Sequence, residues 1–167
     1  KIMAVNESIT VNATVDQVAQ AYASEDFARF VCEKLKIGFE GFSVDGDPSG
    51  AFTATSTRAV SADRVPDMAK KFVSKGLKMT QVDSVSAPAA DGARTVESEI
   101  NVTGMPVTAK ASQQLVPQGE QTVINVSGEV SCGIPLVGKK IAAAAEPYVG
   151  KVMTKLGGYI EEWLQQK

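Results

Sequence analysis

The sequence reads as an α+β domain with one antiparallel sheet. Three features point there. Two short capped helical segments follow a first strand, a strand-rich stretch from residue 37 to residue 132 is punctuated by turn residues, and one long apolar-faced helix closes the chain over 135–166. Apolar residues alternating with polar ones mark strands, and apolar residues three or four apart mark helices. At 167 residues the chain has the length of one domain, taken here as 1–167, large enough to hold a sizeable core.

Residues 2–12 read as the first strand, with Ile9 and Val11 alternating against Ser8 and Thr10. Thr14-Val15-Asp16-Gln17 fits a capping box, in which Thr14 and Gln17 satisfy each other's end amides. Val15, Val18, Ala19 and Tyr22 then form one stripe. Ser24 is a second N-cap, followed by Glu25 and Asp26, whose charges suit a helix N-terminus. Phe27, Phe30, Val31 and Leu35 form that helix's apolar stripe. Strands are predicted over 37–45, 51–61, 77–86, 93–103, 107–116 and 121–132. The segments 45–50, 88–92, 104–106 and 117–120, rich in Gly, Pro and Asp, read as hairpin turns. The connection 64–75 carries Pro66 at a helix-start position, then Met68, Ala69, Phe72 and Val73 at helical spacing, so a short helix is expected there. In the last helix Ile141, Ala145, Tyr148, Val152, Leu156, Ile160, Trp163 and Leu164 keep one face apolar. Pro147 removes an amide from that run, so a break or kink is expected near Ala143–Glu146. Gly157 and Gly158 weaken a helix unless something approaches closely there.

Composition excludes several functions. Seventeen Lys and Arg against nineteen Asp and Glu leave a net charge of −2, which argues against nucleic acid as a partner. No histidine is present, which removes Ser-His-Asp and Cys-His catalysis and imidazole-dependent metal sites. Cys32 and Cys132 form no CxxC motif and read as two buried free thiols, although their spacing alone leaves a disulfide open. No apolar run reaches the roughly 20 residues a membrane span needs, and residues 1–6 are not a signal peptide, so a cytoplasmic protein without membrane insertion is expected.

Alternation assigns faces. Phe52, Ala54, Ser56, Arg58 and Val60 share one face; so do Val96, Ser98, Ile100 and Val102; Val107, Ala109, Ala111, Gln113 and Leu115; and Ile124, Val126, Gly128, Val130 and Cys132. A sheet with one wet and one buried face results. Small residues lie mid-strand on the buried face: Ala54, Ser56, Ser98, Ala109, Ala111 and Gly128. Either the last helix stands off the sheet and leaves a cavity, or it lies close and its own Ala and Gly residues fill the core. Arg58 on this face must be paired or reach water. It is an anchor for a ligand carboxylate or phosphate, or, as the default, an arginine whose head escapes to solvent or whose strand bulges. Gln113 and Ser98 would orient a ligand, or bond to one another or to buried water. Glu97 and Glu99, like Glu161 and Glu162, read as hydrated surface. Asp45 and Asp47 read as a turn, lacking the bidentate Glu of a calcium loop. No acid is assigned to the buried face, which counts against an enzyme.

The order strand, two short helices, six strands, long helix resembles the helix-grip fold of the START and birch-pollen-allergen superfamily. Segments such as Phe27-Ala28-Arg29, Val65 to Val73 and Gly133 to Ile141 are similar to an actinobacterial branch of unknown function. The resemblance implies a seven-stranded curved antiparallel sheet gripping the C-terminal helix, and a cavity between them. It implies binding or carriage of a lipid-like or polyketide-like molecule, with a cyclase or dehydratase and a ligand-free interaction module as alternatives. The expected ligand-binding set is Ser56, Arg58, Ser98, Ala111, Gln113, Gly128, Tyr148, Val152 and Leu156. No catalytic residue, metal site or cofactor is assigned, and a monomer or homodimer is expected.

Overall fold

The computed structural model describes residues 3–65 and 67–167. Ile2, Pro66 and the side chain of Met68, which figure in the predicted elements, lie outside the described residues. The chain runs β1 (Met3–Val11), α1 (Val15–Tyr22), α2 (Glu25–Leu35), β2 (Gly38–Gly46), β3 (Phe52–Val60), a 3-10 turn (Ala62–Arg64), α3 (Asp67–Lys70), β4 (Leu77–Val85), β5 (Arg94–Val102), β6 (Val107–Gln118), β7 (Gln121–Cys132) and α4 (Gly138–Gln165). The seven strands form one antiparallel sheet in the order β1-β7-β6-β5-β4-β3-β2. A register shift between Phe39 and Gly41 bends β2 at the sheet edge.

Local sequence explains most boundaries. The Gln17 amide donates to Thr14 Oγ1 at 3.2 Å, and the Thr14 amide donates to Gln17 Oε1 at 2.8 Å, which is the capping box. The Phe27 amide donates to Ser24 Oγ at 3.2 Å, so α2 starts where its cap lies. The short helix expected within 64–75 is one turn of α-helix, preceded by a 3-10 turn. Beyond Lys70 the amides of Phe72, Val73 and Gly76 bond three residues back, a tighter winding that buries Ala69 and Val73 but leaves Phe72 facing out. Helix α4 begins three residues later than predicted, because Leu136 takes a left-handed φ of 71° after Pro135. It then runs through Pro147 without a break.

The main core joins Val11, Val18, Phe27, Val96, Leu115, Ile124, Ile160 and Trp163 at one end of the sheet. There α4 lies directly on β1. A Cβ at Gly157 would stand 2.7 Å from Val11 Cγ2 and 3.2 Å from Ile9 Cδ1, so the glycine permits the contact that the sequence required it to explain. Gly158 faces open space and has no such role. Nearer its start, α4 touches the sheet again where Ala142 packs with Ala109 and Val130. Cys32 is buried, Cys132 is half-buried rather than buried, and both are free thiols.

Candidate functional site

Between these two contacts the helix and sheet enclose a cavity of about 660 Å³. The stand-off alternative is therefore the one realised. Helix α2 supplies Phe27, Val31 and Leu35 to its wall. Strands β3 to β6 supply Val60, Met79, Ile100 and Val107, and α4 supplies Val149, Met153 and Leu156. Of the expected set, Ser56, Arg58, Ser98, Ala111, Gln113, Tyr148, Val152 and Leu156 line the cavity. Tyr148, 56% exposed, is at its rim. Gly128 does not line it. A Cβ there would come within 3.0 Å of the Lys110 carbonyl oxygen, so this glycine serves strand packing instead.

One wall carries a polar cluster spanning three adjacent strands. Arg58 on β3 donates from Nη2 to Gln81 Oε1 on β4. Gln81 Nε2 donates to Asp83 Oδ1 at 2.9 Å, and Ser98 Oγ on β5 donates to the same oxygen at 2.5 Å. Asp83 and Ser98 stand directly opposite in the ladder, which is why they meet. Nearby, Gln113 Nε2 donates to the Tyr22 hydroxyl. Ser98 and Gln113 thus each have a protein partner rather than each other.

Arg58 is half-buried and lines the cavity. The register shift that could have turned it outward lies in β2, not in β3. Its Nε is buried with no hydrogen-bond partner. Burial pulls the guanidinium below its ordinary pKa while Cys32 and Asp83 oppose that, and an arginine stays charged in any protein. Burial pushes the Asp83 carboxyl up, against the bonds from Ser98 and Gln81 and the charge of Arg58. Burial and the Asp83 charge likewise push the Tyr22 phenol up, so it remains neutral. The Cys32 thiol is raised by burial and held back by Arg58.

Asp83 corrects the expectation that no acid faces inward, since it is 6% exposed and lines the cavity. Its signal was present in the sequence: Leu77, Met79, Gln81, Asp83 and Val85 alternate on one face. The other acids are peripheral. Glu97 and Glu99 are exposed, and Asp47 closes its turn through the Ser49 amide at 2.9 Å. Glu161 and Glu162 are half-buried and partnered rather than merely hydrated. Glu161 accepts from the Asn12 amide at 2.8 Å, and Glu162 pairs with Lys34 at 2.5 Å. Among the described residues no group of three or more His, Cys, Asp or Glu could hold a metal ion. Among them, too, no helix is long and apolar enough to cross a membrane.

Solved structures share this architecture. A norcoclaurine synthase point mutant from Thalictrum flavum, in complex with a transition-state analogue, superposes with a TM-score of 0.53 at 16% identity, covering 99% of this chain and 96% of that one. The ZhuI aromatase/cyclase from Streptomyces sp. R1128 superposes with a TM-score of 0.62 at 11% identity, covering 99% and 95%. Ara h 8.0201 gives 0.56 at 11% identity over all of both chains (100% and 100%). These likenesses establish the helix-grip fold and no particular activity. No curated protein matches the sequence. A family profile does match, over residues 6–164, and the chain therefore belongs to the family described as proteins of unknown function, DUF2505.

Proposed function

We propose that this protein binds and carries a hydrophobic small molecule, lipid-like or polyketide-like, in the cavity between the sheet and α4. The observation that carries the reading is the cavity itself: about 660 Å³, walled by aliphatic and aromatic side chains, with its buried polar groups gathered on one wall. Apolar burial would supply most of the affinity, at roughly 25 cal/mol per Å² removed from water, less the cost of immobilising the ligand. Small-molecule sites have this character, an apolar envelope with a few placed polar groups. The fold neighbours support it, because norcoclaurine synthase has been solved with dopamine and hydroxybenzaldehyde bound. A filled core would have favoured the ligand-free interaction module.

Native mass spectrometry of the protein purified from its source cells, followed by organic extraction, tests the reading. A stoichiometric hydrophobic adduct is expected. A clean apoprotein that also fails to take up added apolar probes would sink it.

Asp83 favours a second reading, a cyclase or dehydratase. Acid catalysis needs a carboxyl kept protonated by its surroundings, and burial acts on Asp83 in that direction. The neighbour named as an aromatase/cyclase shows that the fold can house such chemistry. If the extracted ligand is converted on incubation with the protein, Asp83→Asn should abolish conversion and leave binding intact. An unchanged ligand returns the weight to carriage.

A further inference from the structure

We infer that the ligand is an amphiphilic carboxylic acid, held as the anion with its head group on Arg58 and its apolar body along α4. This rests on the binding reading above and specifies its ligand. The first observation is the buried Arg58 Nε, which has no partner although the guanidinium faces the cavity. A buried donor without a partner is costly, and more so on a charged group. A carboxylate laid against the planar fork supplies the missing acceptor and the missing counter-charge together.

The second observation is the sign of the lining. The chain carries a net charge of −2, yet the described residues lining the cavity include Arg58, Arg64, Lys36, Lys151 and Lys155, with Asp83 as the one acid. No ion pair among the described residues neutralises those five, whereas Lys34 and Lys110, also at the lining, are paired with Glu162 and Glu99. Such a field draws anions toward the mouth. The third observation is that Asp83 accepts both of its bonds on Oδ1. Burial pushes its carboxyl toward the neutral form, the form that does not repel a second carboxylate on the same arginine.

The test uses the delipidated full chain and three probes in isothermal titration or fluorescence: dodecanoate, 1-dodecanol and the neutral dye N-phenyl-1-naphthylamine. Dodecanoate is expected to bind at least tenfold more tightly than dodecanol. Arg58→Gln is expected to erase that preference, leaving dodecanol and dye affinity within threefold of wild type. The double substitution Lys151→Gln, Lys155→Gln is expected to leave the preference in place. Equal binding of acid and alcohol by the wild type overturns the inference but not the carrier reading, and this comparison stands even if the Arg58 variant fails to fold. A preference that survives Arg58→Gln and disappears with the two lysines places the head at the mouth and also overturns it. If none of the three probes binds, the carrier reading fails with it.

Discussion

Arg58 and Arg94 are the same side chain in opposite situations. Arg94, whose side chain is 1% exposed, donates from Nε to the Ser86 carbonyl at 2.8 Å and from Nη2 to the carbonyls of Pro48 (3.2 Å) and Gly50. It ties the β2–β3 and β4–β5 turns together. Its truncation strands those carbonyls, so Arg94→Met is expected to lose about 3 kcal/mol. Arg58 makes one hydrogen bond to Gln81 and leaves its buried Nε–H unused, so Arg58→Met is expected to lose less than about 1 kcal/mol. Urea unfolding of both variants measures the contrast, and equal losses would refute the division of roles. Asp83 yields a pH prediction. Its folded-state pKa lies above its ordinary 3.8, so its contribution to stability is full below about pH 3.8 and is lost as pH rises through the folded value. Asn at this position keeps both bonds on the retained Oδ1. Asp83→Asn should therefore be more stable than wild type at neutral pH, with the gap closing toward pH 3.8. A gap that does not vary with pH would contradict this.

At the scale of elements, α4 shows how one helix serves two demands. Alanine is worth roughly 1 kcal/mol more than glycine in a helix interior. At Gly158, which faces open space, that gain is available, and Gly158→Ala should raise the melting temperature by about 2–4 °C. At Gly157 the added methyl would press on Val11 Cγ2. Val11 is fully buried and stiff at χ1, so the contact cannot easily give. Overpacking costs about 1–3 kcal/mol, which outweighs the propensity gain, and Gly157→Ala should melt lower than wild type. Thermal melts of the pair read out opposite signs. Shifts of the same sign would mean that α4 is not seated on β1 as described.

For the whole molecule, the cavity follows from where the helix is pinned. One contact is at Ala142 against Ala109 and Val130. The other is at Gly157 on β1, with Trp163 edge-on to Phe27 at 5.3 Å between centroids. Small side chains between the pins, such as Ser56, Ala111 and Ser98, leave the space unfilled. Ala111→Leu places a branched side chain into it. Stability should stay within about 1 kcal/mol of wild type, since apolar burial offsets crowding. Ligand affinity should fall at least tenfold. Undiminished adduct in native mass spectrometry would place the ligand elsewhere.

Much of this was legible without coordinates. Thr14 and Ser24 mark the helix starts because caps act within four residues. The inward faces of β3, β5, β6 and β7 follow from period-two alternation, and Ser56, Ser98, Ala111 and Gln113 face the cavity accordingly. Asp83 and Arg94 were missed although both obey the same alternation, because a charged residue on an apolar face is ambiguous until its partners are known. Those partners, Ser98 across the ladder and the carbonyls of two turns, are 8 to 46 residues away in the chain. The sequence by itself determined the order of elements, their caps and which way most side chains point, all properties of neighbours along the chain. Only the tertiary structure decided that α4 stands off the sheet and that Arg58 lines the space between them, because both depend on how distant side-chain volumes sum around a shared space.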